Sequence, residues 1–269
     1  MTPPTSFIAE LSYGPHPDQV ADLFVPEGAK GPLPLVLLFH GGVWREPYDR
    51  VHVRPFAAAL AETGAIVANV EYRRVDGAGG WSATFDDAAR AGELLPDLVD
   101  AAAGVPVDRD AVALVGHSAG GHLALWSALR HLIDPGAPGY RGTPVPVAGV
   151  VPLGAVVALG EFCRTSRDGP TVERLMGGGP ATVPERYAAA DPAVLGAAAC
   201  RVLLVHGTDD EDVPVQTVRD YAATHPGADL FELPDTRHMD VIDPVSGAWP
   251  SVRDAVWAAL GRRRPVPAP

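Results

Sequence analysis

The run Leu33–Phe39, LPLVLLF, contains no polar side chain, and it restricts the fold more than any other stretch of the chain. A strand with one face in water alternates apolar and polar residues, whereas a strand without alternation is covered on both faces. Apolar-rich runs recur at 66–70, 111–115, 147–153 and 201–205, and 230–233 adds a late strand. Helix-length segments at 56–63, 84–103, 119–132, 215–224 and 246–262 alternate with them. This alternation predicts an α/β protein, a mostly parallel sheet with helices on both faces. A strand pair at 7–11 and 19–25 opens the chain, joined by turn-forming residues. Thr84 is expected to cap its helix, and Pro96 to bend or interrupt it.

The chain is long enough for one large domain with a substantial core, and no linker divides it. Residues 1–269 therefore read as a single domain. Residues 159–195 break the rhythm with mixed polar residues, three successive glycines and several prolines. They read as a cap or lid insertion over a pocket. The tail 263–269 is expected to be loose.

A net charge of −12 argues against nucleic acid or an anionic membrane as partner, because both demand a basic surface. No apolar run approaches the ~18 residues of a membrane span. The N-terminus lacks a basic run followed by an apolar core, so a cytoplasmic location is expected. Cys163 and Cys200 lack metal-ligand spacing, and neither H-E-x-x-H nor paired cysteines occur, so no metal is expected. Oligomeric state has no signature here.

Gly116-His117-Ser118-Ala119-Gly120 matches G-x-S-x-G, placed after an apolar strand and before a helix. A serine nucleophile must project from a sharp strand-to-helix turn, and the two glycines remove side chains where strand and helix crowd. His40-Gly41-Gly42-Val43-Trp44 follows the first buried strand. Attack on a carbonyl puts negative charge on its oxygen, and backbone N–H groups stabilise it at ~3 kcal/mol each. Candidate donors are the amides of Gly41, Gly42 and Val43, together with Ala119. His40 is expected to brace this loop.

Three aspartates, Asp209, Asp210 and Asp212, follow the strand at 201–205. The spacing H-G-x-x-D-x-x-V-P selects Asp210 as the acid. His238, between the last strand and the last helix, is the candidate base. The chain order Ser118, Asp210, His238 matches the one expected when a G-x-S-x-G elbow sits in such a strand–turn–helix α/β setting. Trp44, His117, Trp81, Phe162 and Met239 are candidate pocket walls. His122 is expected to pack beneath the nucleophile turn, and His225 to lie at the surface.

The segments H-G-G-x-W at 40–44, G-H-S-A-G-G-H-L-A at 116–124 and H-G-x-x-D-x-x-V-P at 206–214, with His238, resemble the α/β-hydrolases of the esterase/lipase group. Within it they are similar to the kynurenine formamidase-like and feruloyl-esterase-like branch. The resemblance spans roughly residues 33–243. It implies the α/β-hydrolase fold, no cofactor, and hydrolysis of a small-molecule ester or amide. It gives Ser118, Asp210 and His238 the triad roles, and Gly41, Gly42 and Ala119 the region of the oxyanion hole. Ester hydrolysis through an acyl-enzyme is the leading expectation. Amidase or arylformamidase chemistry at the same site is the alternative, and an inactive binding module of the same fold a remote one.

Overall fold

A computed structural model describes residues 7–263. The first six residues, and the expected loose tail from 264 onward, lie outside the described residues. Eight strands form one sheet: β1 Phe7–Ser12, β2 Val20–Phe24, β3 Leu33–Phe39, β4 Ile66–Val70, β5 Val107–His117, β6 Gly149–Leu153, β7 Arg201–Gly207 and β8 Ala228–Leu233. Their order is β1-β2-β4-β3-β5-β6-β7-β8. β2 runs antiparallel to both β1 and β4, and every pairing from β4 to β8 is parallel.

Successive side chains of a strand point to opposite faces, so each buried strand feeds two cores. Leu35, Leu37 and Phe39 enter one core with α2 (Ala83–Ala102) and α3 (Ala119–Leu129). Val36 and Leu38 enter the other with α1 (Arg54–Glu62) and α9 (Trp249–Ala259). Both faces are covered, which is why the central strands carry no polar alternation. All eleven residues of α3 are buried, so the helix that follows Ser118 is apolar nearly all round.

Three local expectations need correction. Pro96 does not interrupt α2, which continues from Ala83 to Ala102. An interior proline costs ~3 kcal/mol, and Leu95 and Val99, both fully buried, offset it at ~2 kcal/mol each. Thr84 does not cap this helix, which starts one residue earlier. It is buried, its hydroxyl donates to the Arg73 carbonyl at 2.7 Å and accepts from the Gly80 amide at 3.0 Å, and so it pins the helix start to the preceding loop. His225 is buried as well, its ring stacked 3.9 Å from that of Tyr221.

Residues 159–195 fold as four short helices between β6 and β7: α4 Leu159–Thr165, α5 Gly169–Met176, α6 Pro184–Ala190 and α7 Pro192–Leu195. They dock on α3 through polar anchors. His122 Nε2 donates to the Ala190 carbonyl at 2.9 Å, and Trp126 Nε1 to that of Ala189 at 2.8 Å. Arg167 pairs with Asp212 of the β7–α8 loop (α8 is Val215–Thr224), and Arg174 with Asp76. No helix among the described residues is long and apolar enough to cross a membrane.

Candidate active site

Ser118 sits between β5 and α3 with φ 53° and ψ −116°, a conformation that a non-glycine residue adopts only under constraint. The crowding around it explains the glycines. A Cβ on Gly116 would fall 2.1 Å from the Gly120 carbonyl oxygen, and one on Gly120 would fall 2.1 Å from that of Phe39. The turn is tied down by the Ser118 amide donating to the Leu153 carbonyl at 2.9 Å.

Asp210 and His238 meet at the ends of β7 and β8. His238 Nδ1 donates to Asp210 Oδ2 at 2.7 Å, and Asp210 Oδ1 accepts from the amides of Asp212 and Val213 at 3.0 and 2.8 Å. Asp210 is buried, whereas Asp209 is exposed and Asp212 is paired with Arg167. With Nδ1 carrying the proton given to Asp210, Nε2 is left as the basic nitrogen of the ring. Among the described residues neither Nε2 nor Ser118 Oγ makes a hydrogen bond to the protein. The acid and base loops are laced together by Asp209 N to Thr236 O and Asp235 N to Thr208 Oγ1, both 3.1 Å. Gly207 permits this approach, since a Cβ there would lie 2.0 Å from the Thr236 carbonyl oxygen.

Gly154, just beyond β6, is a site residue that sequence reasoning missed. A Cβ there would stand 3.3 Å from both Asp210 Oδ2 and His238 Nδ1, and its φ is +50°. A lone glycine directly after a buried strand was the available signal. His206 was read only as part of its motif. Its Nε2 donates to the Val213 carbonyl at 2.8 Å and lies 3.3 Å from Asp210 Oδ2. Burial pushes this imidazole below its usual range, so it stays neutral beside the carboxylate.

The loop after β3 folds back onto the nucleophile. A Cβ on Gly41 would lie 2.7 Å from His117 Nδ1 and 3.2 Å from Ser118 Cβ. Val43 and Trp44 follow with φ 53° and 55°, two successive left-handed residues, one of them β-branched. The amides of Gly41, Gly42, Val43 and Ala119 donate to no protein group among the described residues. His40 braces this loop from behind. Its Nδ1 bonds the Gly41 carbonyl at 2.7 Å and its Nε2 bonds Glu71 Oε1 at 2.8 Å. Both ring nitrogens thus face acceptor oxygens, which fixes the ring between the loop and Glu71. Burial alone would raise the Glu71 carboxyl, but His40, Arg74 and the Arg50 amide together hold it down at about 2. Tyr72 stacks on His40 at 4.4 Å and donates its hydroxyl to the His40 carbonyl at 2.8 Å. Glu71, Tyr72 and Arg74 were also missed. Polar residues immediately after the wholly buried strand β4 could have found them.

The expected pocket walls fare unevenly. Trp44 has no exposed surface and packs edge-on against His122 and Phe162, so it is a core residue and offers no face to a substrate. His117 is likewise buried, its ring 4.5 Å from that of His238. Trp81 is half-buried and packs on Phe85. Met239 is exposed beside the base. Phe162 lines a groove of about 430 Å³ with Val156, Glu161, Arg167 and Val213, alongside the Asp210 loop. A larger cleft of about 650 Å³, lined by Arg73, Arg90, Arg130 and Tyr140, shares no residue with this constellation.

The chain is 28% identical to the probable carboxylic ester hydrolase LipM of Mycobacterium tuberculosis over 77% of its own length and 49% of that protein's. It is 32% identical to the probable isoprenylcysteine alpha-carbonyl methylesterase ICME of Oryza sativa over 46% of its length and 28% of that protein's. It thus spans half or less of the length of these curated relatives. Among solved structures, propionate-bound Est2, an esterase of Thermogutta terrifontis, superimposes with a TM-score of 0.73 at 20% identity, covering 99% of this chain and 98% of that one. At that identity the likeness speaks to the fold, which is the α/β-hydrolase fold. Residues 21–224 match the BD-FAE family, most of the sheet and both sequence segments that flank Ser118. The chain is a member of the BD-FAE family.

Proposed function

We propose that this chain is a serine hydrolase that cleaves a small carboxylic ester through an acyl-enzyme. The observation that carries the reading is the Asp210–His238 hydrogen bond of 2.7 Å, and a serine held in a strained strand-to-helix elbow supports it. In this reading Ser118 Oγ attacks the ester carbonyl carbon while His238 Nε2 takes its proton. The carbonyl oxygen becomes an oxyanion facing the free amides of Gly42, Val43 and Ala119. The Asp210 carboxylate fixes the His238 tautomer and stabilises the imidazolium. Nε2–H then protonates the departing alkoxide, and water repeats the sequence to release the acid. The helices at 159–195 form the cap of this single domain, and Phe162 and Met239 contribute to the substrate's surroundings.

The names of LipM and ICME support an ester substrate. Ester and amide hydrolysis share the tetrahedral intermediate, so acyl preference is a separate question. The experiment is a panel of p-nitrophenyl esters of graded acyl length, with methyl ferulate and N-formylkynurenine, assayed on the wild type and on Ser118→Ala. Short esters should turn over, and Ser118→Ala should lose about 10⁴-fold or more in kcat. Turnover of N-formylkynurenine above that of every ester would shift the reading to a formamidase. A fully active Ser118→Ala would end both.

A further inference from the structure

We infer that His117 is a positioning residue for the proposed base, clamping the backbone of His238 to the nucleophile strand. The inference rests on the triad reading above. His117 occupies the variable position of G-x-S-x-G, where the motif asks for no particular side chain. Here it bridges the three segments that meet at the site. It belongs to the elbow, its Nδ1 abuts Gly41, and its Nε2 lies 3.0 Å from the carbonyl oxygen of His238, 121 residues away. A carbonyl can only accept, so Nε2 carries the proton and Nδ1 does not. Nδ1 is buried without a partner.

Hydrogen bonds tie the base loop to the acid loop at three points, His238 to Asp210, Thr236 to Asp209, and Asp235 to Thr208, and further ones stay within the base loop and the turn at 240–242. Among the described residues, His117 to His238 is the one hydrogen bond joining the base loop to the segment that carries Ser118. The anchor itself is stiff. β5 is paired on both sides, and His117 stands in register with Leu153 of β6. The two imidazoles also pack at 4.5 Å with their planes inclined by 45°. Burial, with His238, His52 and His206 around it, keeps His117 neutral, so it adds no charge beside a base that must itself become positive.

A neutral hydrogen bond of this kind contributes little to global stability. Its leverage is on distance. A base must stand within about 2.6–3.2 Å of the hydroxyl it deprotonates, and a misplacement of about 1 Å can cost a hundredfold in rate. A positioning role therefore predicts a loss in kcat out of proportion to the loss in stability.

The test compares His117→Gln, whose amide nitrogen falls near the place of Nε2, with His117→Met, which keeps bulk and removes the donor. Both are assayed on p-nitrophenyl acetate with Ser118→Ala alongside. His117→Met should lose about a hundredfold in kcat with KM within about threefold of wild type. His117→Gln should recover kcat to within about fivefold of wild type, since it restores the donor. If the methionine variant does not fold, His117→Asn takes its place, because its amide falls a bond short of the His238 carbonyl. Wild-type kcat in the folded donor-free variant, or equal losses with and without the donor, would overturn the inference. Ser118→Ala separates the two levels. If it is inactive while the donor-free variant is unimpaired, the triad reading stands and only the role of His117 falls.

Discussion

Asp210 Oδ2 and His238 Nδ1 lie 2.7 Å apart although 28 residues separate them in the chain, and a second histidine, the fully buried His206, lies 3.3 Å from the same oxygen. The carboxylate is thus fully engaged: two backbone amides on Oδ1, two imidazoles about Oδ2. Replacing Asp210 by Asn preserves its volume but turns one acceptor into a donor, so His238 can no longer present Nδ1–H. We expect kcat for a p-nitrophenyl ester to fall about 10³- to 10⁴-fold at neutral pH. Asp209→Asn, on an exposed side chain of the same loop, should stay within about twofold of wild type, as surface substitutions usually do. Equal losses in the two variants would show that the loop, rather than this carboxylate, matters.

Gly154→Ala tests how closely the acid and base are packed. The new methyl would stand 3.3 Å from Asp210 Oδ2 and His238 Nδ1 at a residue with φ +50°. Strain from the left-handed backbone costs about 1–2 kcal/mol of stability. The methyl also wedges against the pair that must stay aligned, so kcat should fall by at least about tenfold. Denaturant unfolding and steady-state kinetics on the same preparation measure the two effects. A stability loss with unchanged kcat would mean that the His238 loop moves aside freely.

Much of this arrangement was legible in the sequence, and the parts that were not have a common cause. β3 and β4 begin and end where the apolar runs do, because strands buried on both faces leave a periodic signature. Ser118 and Asp210 were legible as candidates because each stands just past a strand in a motif with fixed spacing, and His238 because it lies between the last strand and the last helix. Glu71, Gly154 and the clamp on His238 were not. Their roles exist only through contacts across 31, 56 or 121 residues, and no local pattern encodes a contact of that kind. Trp44 misled for a related reason. A tryptophan after H-G-G can face a pocket or a core, and the choice depends on His122 and Phe162, which arrive from other elements.

The Glu71 network makes stability depend on pH in the acid range. Its carboxyl lies at about 2 in the folded protein, against an ordinary 4.5. A depressed acid stabilises the fold above its unfolded value and loses that contribution as pH falls toward the folded one. The window is therefore about pH 4.5 down to about 2, and the amount roughly 3 kcal/mol. Glu71→Gln should be destabilised at pH 7 by about 3–5 kcal/mol, because Arg74 remains buried without its counter-charge. It should also show a flatter decline between pH 4.5 and 2. Urea titrations across that range read both. A variant whose pH dependence parallels that of the wild type would remove Glu71 as the source.

Asp191 carries the last prediction, because one buried carboxylate starts two of the four helices at 159–195. Its Oδ1 accepts from the amides of Leu159 and Ala193 at 2.9 and 3.1 Å, and its Oδ2 from the amide of Gly160 at 2.8 Å. Those amides open α4 and α7, where no intrahelical acceptor exists. Burial raises this carboxyl and the three N–H groups oppose the rise, so its bonds offset a desolvation cost rather than add freely to stability. Asp191→Ala leaves three donors unpaired and should destabilise the protein by about 2–4 kcal/mol. Asp191→Asn keeps one accepting oxygen and should recover part of that loss. Hydrogen exchange gives the local reading: protection at Leu159, Gly160 and Ala193 should drop in the alanine variant before that of β3 or β5 changes. Because α6, which runs directly into Asp191, rests on α3 through the carbonyls of Ala189 and Ala190, the loss should extend to the His122 and Trp126 anchors. Unchanged protection at all three amides would mean that these helices are held by their apolar packing on α3, not by this carboxylate.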